Sequence, residues 1–228
     1  MRQLFPHPVD VVDPAEVYAD LPIAEGRPGV RLNMIASVDG GTAWKGVSGS
    51  LGGPGDKAVF AALRSLADVV LVAAGTVRAE HYGPSTLPIA VVTRSAMLDW
   101  QSPFFSQATA RPIVLTVDDA PKENLEHAAR VADVVFAGTG SVDLEKAVTE
   151  LGGRGFRHVI AEGGPTLNSQ LTRAGVLDEL CLTVSPKLLA GDAKRILAGS
   201  ELAEPAQLRL HCLLEDESYL FLRYRVGG

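Results

Sequence analysis

His158-Val159-Ile160-Ala161-Glu162-Gly163-Gly164-Pro165-Thr166-Leu167 is a short apolar run, one carboxylate, two glycines, and a proline and threonine that open a helical pattern. In physical terms it predicts a strand, a tight turn and a helix N-terminus. Glycine lets a ligand approach the backbone closely, and proline fits the first helical position because no N–H partner is needed there. The free N–H groups and positive dipole end of such a helix suit a phosphate. The turn is therefore expected to hold a nucleotide pyrophosphate, with Glu162 facing the chemistry.

Outward from this stretch, buried strand-like runs recur at residues 30–38, 69–73, 89–93, 113–116 and 133–136. Helical spacing lies between them at 56–66, 123–130, 142–151 and 166–174, the last ending at Gly175. Strand–helix alternation predicts an α/β fold in three αβα layers, with a mixed, mostly parallel sheet covered on both faces. Runs at 179–185, 208–214 and 219–226 add antiparallel character, the last two as a hairpin through residues 215–218. Residues 1–29 read as an irregular arm with one short helix near 14–18, residues 94–110 as a loop, and residues 30–228 as one domain.

The 228 residues are 46% hydrophobic and 21% charged, enough for one full core. A formal net charge of −6 gives no electrostatic ground for a nucleic-acid or anionic-membrane partner, so a phosphorylated ligand must be met locally. The N-terminal residues lack the apolar stretch of a signal peptide, and no window approaches the ~18 apolar residues of a membrane span. A cytoplasmic protein is expected. Cys181 and Cys212 each sit in an apolar run and are expected as buried free thiols. The histidines at 7, 81, 127, 158 and 211 show no metal-ligand spacing, and no metal is expected.

Two glycine pairs imitate a dinucleotide fingerprint. Gly138-Thr139-Gly140 lacks the third glycine, whose place Asp143 takes, and Gly153-Arg154-Gly155 precedes a strand instead of following one. Ligands of open α/β sheets gather beyond the carboxyl ends of strands. Four strand ends carry polar chemistry: Ser37-Val38-Asp39-Gly40, Gly75-Thr76, Thr93-Arg94-Ser95 and Glu162-Gly163-Gly164. Each alone fits ordinary turn chemistry; together they point to a shared cleft. Asp39 fits a turn, or a carboxylate that orients or protonates a heterocycle. Thr76 fits a helix cap or a ribose contact, and Arg64 a complement to its helix dipole. Arg78 and Arg94 fit surface charge, or the bidentate partner of a ribose 2′-phosphate.

Asn33-Met34-Ile35-Ala36-Ser37-Val38-Asp39-Gly40, Ala74-Gly75-Thr76-Val77-Arg78-Ala79-Glu80, Glu162-Gly163-Gly164-Pro165-Thr166-Leu167, Ala174-Gly175-Val176-Leu177-Asp178-Glu179-Leu180 and Ser185-Pro186-Lys187-Leu188-Leu189-Ala190-Gly191 follow one another in that order. Over residues 30–226 the chain thereby resembles the reductase domain of the riboflavin-pathway deaminase–reductases, whose fold is like dihydrofolate reductase. The resemblance implies NADPH as cofactor and 5-amino-6-(5-phosphoribosylamino)uracil as substrate, reduced to the ribitylamino product. It implies cofactor contacts from Ile35, Ala36, Ser50, Thr76, Glu80 and Arg94. It also implies a pyrophosphate turn at Gly163, Gly164, Pro165, Thr166 and Leu167. Ser48, Arg64 and Glu162 would face the substrate, with Asp39 and Glu162 as the catalytic carboxylates. A homodimer is implied too, with strands 179–185 and 219–226 as its candidate interface.

The zinc-binding deaminase half of such proteins has no counterpart here, so a stand-alone reductase is expected. Asn33 stands where many relatives carry lysine, and Leu51-Gly52-Gly53-Pro54-Gly55-Asp56 departs from their tryptophan-containing loop. These departures leave two alternatives: a reductase of dihydrofolate or another pterin, and a nucleotide-binding module without turnover.

Overall fold

The structure is a computed structural model that describes residues 1–23 and 25–227. In chain order its strands are β1 (Arg2–Phe5), β2 (Gly29–Ser37), β3 (Val69–Ala73), β4 (Ile89–Val92), β5 (Ile113–Thr116), β6 (Asp133–Phe136), β7 (His158–Ala161), β8 (Glu179–Ser185), β9 (Leu208–Asp216) and β10 (Tyr219–Val226). The helices are α1 (Pro14–Val17), α2 (Pro54–Ser65), α3 (Ala74–Ala79), α4 (Pro103–Ser106), α5 (Lys122–Val131), α6 (Leu144–Gly153) and α7 (Pro165–Arg173).

The continuous apolar strands are apolar because both of their faces are buried. In β3, Val69 and Leu71 enter one core while Val70 and Val72 enter another. The same alternation separates Val159 and Ala161 from Ile160 in β7, and Ile113 and Leu115 from Val114 in β5. Leu144, Val148 and Leu151 of α6, with Leu167 and Leu171 of α7, close the first core. Val59 and Leu63 of α2, Val77 of α3, and Phe104 and Phe105 of α4 close the second. The expected three layers follow directly.

All ten strands form one sheet in the order β1-β9-β10-β8-β2-β7-β3-β4-β5-β6. The middle is parallel, and the antiparallel pairs are β8 with β10, β10 with β9, and β9 with β1. β8 itself runs parallel to β2 on its other side. From β3 the chain steps outward to β6, then returns through α6 and inserts β7 between β2 and β3. Ala161 is in register with both Leu32 and Leu71. Glu162 therefore leaves the sheet at its centre, where the strand order reverses and ligands of such sheets collect.

Three local expectations are corrected. The arm is not irregular throughout: residues 2–5 form the edge strand β1 against β9, and Tyr18 is buried against the sheet. The 94–110 segment holds α4, whose Phe104 and Phe105 fill the second core. The final hairpin is longer than expected, since Asp216 pairs with Tyr219 and only Glu217 and Ser218 turn, both at positive φ. Two successive left-handed residues suit the twist of a tight hairpin. Cys181 and Cys212 are buried free thiols as expected. Among the described residues no helix is long and apolar enough to cross a membrane.

Candidate active site

A cleft of about 910 Å³ opens at the carboxyl edge of the central strands, a size that suits a small-molecule ligand. One stripe of α2, at residues i, i+4 and i+8, supplies Asp56, Phe60 and Arg64 to its wall. The glycine turn after β7 lines the same cleft.

Glu162 is the best-held group in the cleft. Its Oε1 accepts from Arg64 Nε at 2.7 Å and its Oε2 from Arg64 Nη2 at 2.7 Å, a bidentate charge-assisted pair. The Tyr82 hydroxyl donates to the same Oε2. The Arg64 guanidinium also lies 4.5 Å from the centre of the Phe60 ring. Burial, reinforced by the negative charge of Glu162, pushes the Tyr82 phenol above its ordinary value, so it stays a proton donor. A second carboxylate, Glu80, accepts the Ser48 N–H at 2.8 Å and ties the 42–55 loop to the cleft rim. The third, Asp56, has no cation paired with it among the described residues. Burial pushes its carboxyl up, partly offset by a hydrogen bond with Thr183.

The turn itself is shaped by close approach. Gly163 has φ +83°, a left-handed conformation that favours glycine, and its carbonyl accepts the Ala73 N–H at 2.7 Å. A Cβ on Gly164 would lie 2.8 Å from Thr76 Oγ1, so glycine lets the start of α7 pack closely against the Thr76 side chain of α3. Gly164 caps α7 without a side-chain hydrogen bond, and Pro165 takes the first turn as expected. The first-turn N–H groups thus face the cleft without an internal acceptor, a cradle that fits a nucleotide diphosphate.

Ile35, Thr76, Glu80, Gly164, Pro165, Thr166 and Leu167 line the cleft, as do Ser48, Arg64 and Glu162. Gly163 backs the turn, whereas Ala36, Ser50 and Arg94 do not line it. Ala36 is buried in the sheet, Ser50 is exposed with its carbonyl accepting from Lys187 Nζ, and Arg94 is exposed at the end of β4.

Asp39 is not among the residues that line the cleft. Its carboxylate accepts from Ser37 Oγ at 2.6 Å, Ala190 N at 2.7 Å and Leu189 N at 3.1 Å, outside the cleft wall. The Ser37 hydroxyl and those backbone N–H groups lower its carboxyl to about 2. A group that acidic, spent on the 185–190 loop, makes a poor proton carrier. Conversely, Tyr82, Phe60 and Asp56 were missed as site residues. The i+4 spacing back from Arg64 pointed to Phe60 and Asp56, whereas Tyr82 lies in a glycine- and proline-rich loop with no periodic signal.

The RibD C-terminal domain family matches residues 28–218. A 2,5-diamino-6-ribosylamino-4(3H)-pyrimidinone 5′-phosphate reductase of Methanothermobacter thermautotrophicus is 31% identical over 219 residues, covering 89% of this chain and all of that relative. A solved pyrimidine reductase-like protein of Corynebacterium diphtheriae is 27% identical with TM-score 0.84, covering 96% of this chain and 100% of that one. Enterococcus faecalis dihydrofolate reductase shares the fold at 13% identity, TM-score 0.52, over 91% of this chain and 100% of its own. A family match over most of the cleft-bearing sheet, with that relative aligned along its full length, places this chain in the RibD C-terminal domain family, the reductases of riboflavin biosynthesis.

Proposed function

We propose that this chain is an NADPH-dependent reductase that converts the ribosylamino group of a phosphorylated 6-(ribosylamino)pyrimidine to its ribitylamino form. The observation that carries this reading is that the Arg64–Glu162–Tyr82 cluster and the uncapped glycine turn line one cleft. Such a lining offers backbone N–H groups for a dinucleotide's phosphates and a charged cluster for a polar heterocycle. The relatives' curated substrate, a ribosylaminopyrimidinone 5′-phosphate, has the matching chemistry.

NADPH, when bound, supplies the hydride. The first turn of α7 and Thr76 would hold its pyrophosphate and ribose. Arg94 makes no hydrogen bond or ion pair among the described residues and is free to meet a 2′-phosphate. On the substrate side, Glu162 fixes the Arg64 guanidinium through Nε and Nη2, leaving Nη1 for a substrate anion. The Tyr82 O–H, aimed along Glu162, keeps a proton within the cleft. The chain's own task is to hold the acceptor carbon and the donor in near-attack geometry and to exclude water.

The test is NADPH oxidation with the ribosylaminopyrimidinone phosphate and, separately, with dihydrofolate. Turnover of the first supports the proposal. Turnover of dihydrofolate alone replaces it with a pterin reductase, and NADPH binding without oxidation of either replaces it with a binding module.

A further inference from the structure

Asp56 stands apart from the other cleft carboxylates. Glu162 is consumed by Arg64 and Tyr82, and Glu80 by the Ser48 backbone. No cation and no backbone N–H meets Asp56 among the described residues, yet it lines the same wall. The backbone has made room for it: a Cβ on Gly52 would lie 2.6 Å from Asp56 Oδ2. The buried Thr183 hydroxyl is its polar neighbour from β8. Such a half-buried carboxyl, with one hydroxyl as its partner, keeps acceptor capacity for a ligand that brings donors.

The α2 stripe defines what kind of ligand does so. Asp56 and Arg64 are separated by eight residues, about 12 Å along the helix axis at 1.5 Å per residue. Phe60 lies between them, its ring against the Arg64 guanidinium. A heterocycle along this stripe would meet an anion at one end and a cation at the other. With its phosphate toward Arg64, the base edge remote from the sugar falls to Asp56.

Two bases fit the proposed reaction, and they differ at that edge. A 2-aminopyrimidin-4-one offers a ring N–H beside an exocyclic NH₂, two parallel donors that a carboxylate accepts as it accepts an arginine fork. Uracil offers one N–H flanked by two carbonyl oxygens, so a carboxylate gains one hydrogen bond and meets an oxygen with the other.

We propose that Asp56 is the specificity-determining residue of this cleft, reading the 2-amino and ring N–H edge, and that the chain reduces the 2-amino-pyrimidinone in preference to the uracil. This rests on the reductase reading above. It differs from the uracil expected from the sequence motifs and agrees with the diaminopyrimidinone in the name of the Methanothermobacter relative, for which Asp56 supplies the physical reason.

The test compares the diaminopyrimidinone and uracil ribosylamino phosphates as substrates of the wild type and Asp56→Asn at pH 8, with NADPH binding and melting temperature as controls. A site built to bond a polar edge rejects the analogue lacking it strongly, so the wild type should favour the 2-amino compound by about 100-fold or more in kcat/KM. Asparagine presents one acceptor and one donor, the match for uracil's N–H and carbonyl. Asp56→Asn should therefore reverse the preference, chiefly through KM, with NADPH affinity and fold unchanged. A wild-type preference for uracil, or an unaltered ratio in Asp56→Asn, overturns the assignment. If neither compound is reduced, the reductase reading fails, and titration of the same two compounds decides Asp56 separately. Equal wild-type affinities then overturn it, whereas a preference for the 2-amino compound that Asp56→Asn abolishes upholds it.

Discussion

Glu162 shows how much one residue's position depends on its neighbours. Glu162→Gln leaves Arg64 facing a neutral amide in a half-buried site and unsettles the donor aimed at the substrate. We expect kcat/KM to fall by about 100-fold, the scale of losing one preorganised electrostatic group. Tyr82→Phe removes a hydrogen bond to a charged acceptor and should cost about 1.5 kcal/mol of stability in urea titrations, with NADPH binding retained. Asp39→Asn behaves differently: activity should stay within about threefold of wild type, because the side chain anchors a loop and moves no proton. Its folded carboxyl is lowered from an ordinary 3.8 to about 2. A depressed carboxyl stabilises the fold above the unfolded value and loses that contribution as pH falls through the folded one. Melting temperatures of wild type and Asp39→Asn should therefore differ above pH 4 and converge toward pH 2. Glu162 was legible as a lone carboxylate at a strand end before two glycines. Asp39 looked the same, and only its three partners from residues 37, 189 and 190 distinguish an anchor from a catalyst.

Among the elements, the turn between β7 and α7 tolerates the least change. Gly164→Ala would drive a methyl group into Thr76 Oγ1, separated by 2.8 Å, so the Thr76 side chain must turn away or α3 and α7 must move apart. NADPH affinity should drop by about tenfold or more and melting temperature should fall; Gly164→Ala combined with Thr76→Ala should restore the melting temperature, since it removes the colliding oxygen. At the end of β4, Arg94→Ala should raise KM for NADPH about tenfold while leaving KM for NADH unchanged, the pattern of a lost 2′-phosphate partner. Equal effects on both cofactors would reject that role. The central strands and main helices were readable because residues buried on both faces are continuously apolar and helices repeat with a 3.6-residue period. Pro103-Phe104-Phe105-Ser106 and Arg2-Gln3-Leu4-Phe5 are too short to show a period. Their structure comes from what they pack against.

At the scale of the molecule, the arm and the antiparallel end of the sheet are joined through buried charge. Glu179 is fully buried and pairs with Arg31 and Arg223, the latter donating from Nε at 2.9 Å, while Arg225 Nη1 lies 2.8 Å away. Arg223 also reaches Asp20 and the Val17 carbonyl, fastening the arm over Tyr18. Burial alone would raise the Glu179 carboxyl, yet the three arginines hold it below its ordinary value of 4.5. Its contribution is therefore present above that value and lost as pH falls below it, which makes Glu179 a trigger of acid unfolding. Glu179→Gln leaves buried guanidinium groups unneutralised and should cost about 3–5 kcal/mol in urea unfolding, with the arm becoming protease-sensitive. Sequence alone determined the layered α/β fold, the two-faced burial of the strands and the glycine turn into α7, because periodicity, glycine and proline act over a few neighbouring residues. Tertiary structure decided that Asp39 is an anchor, that Tyr82 and Asp56 belong to the cleft, and that His158–Ala161 occupies the middle of the sheet. Those outcomes depend on contacts between residues far apart in the chain, and the opening turn acquired its partners only when β7 was inserted between β2 and β3.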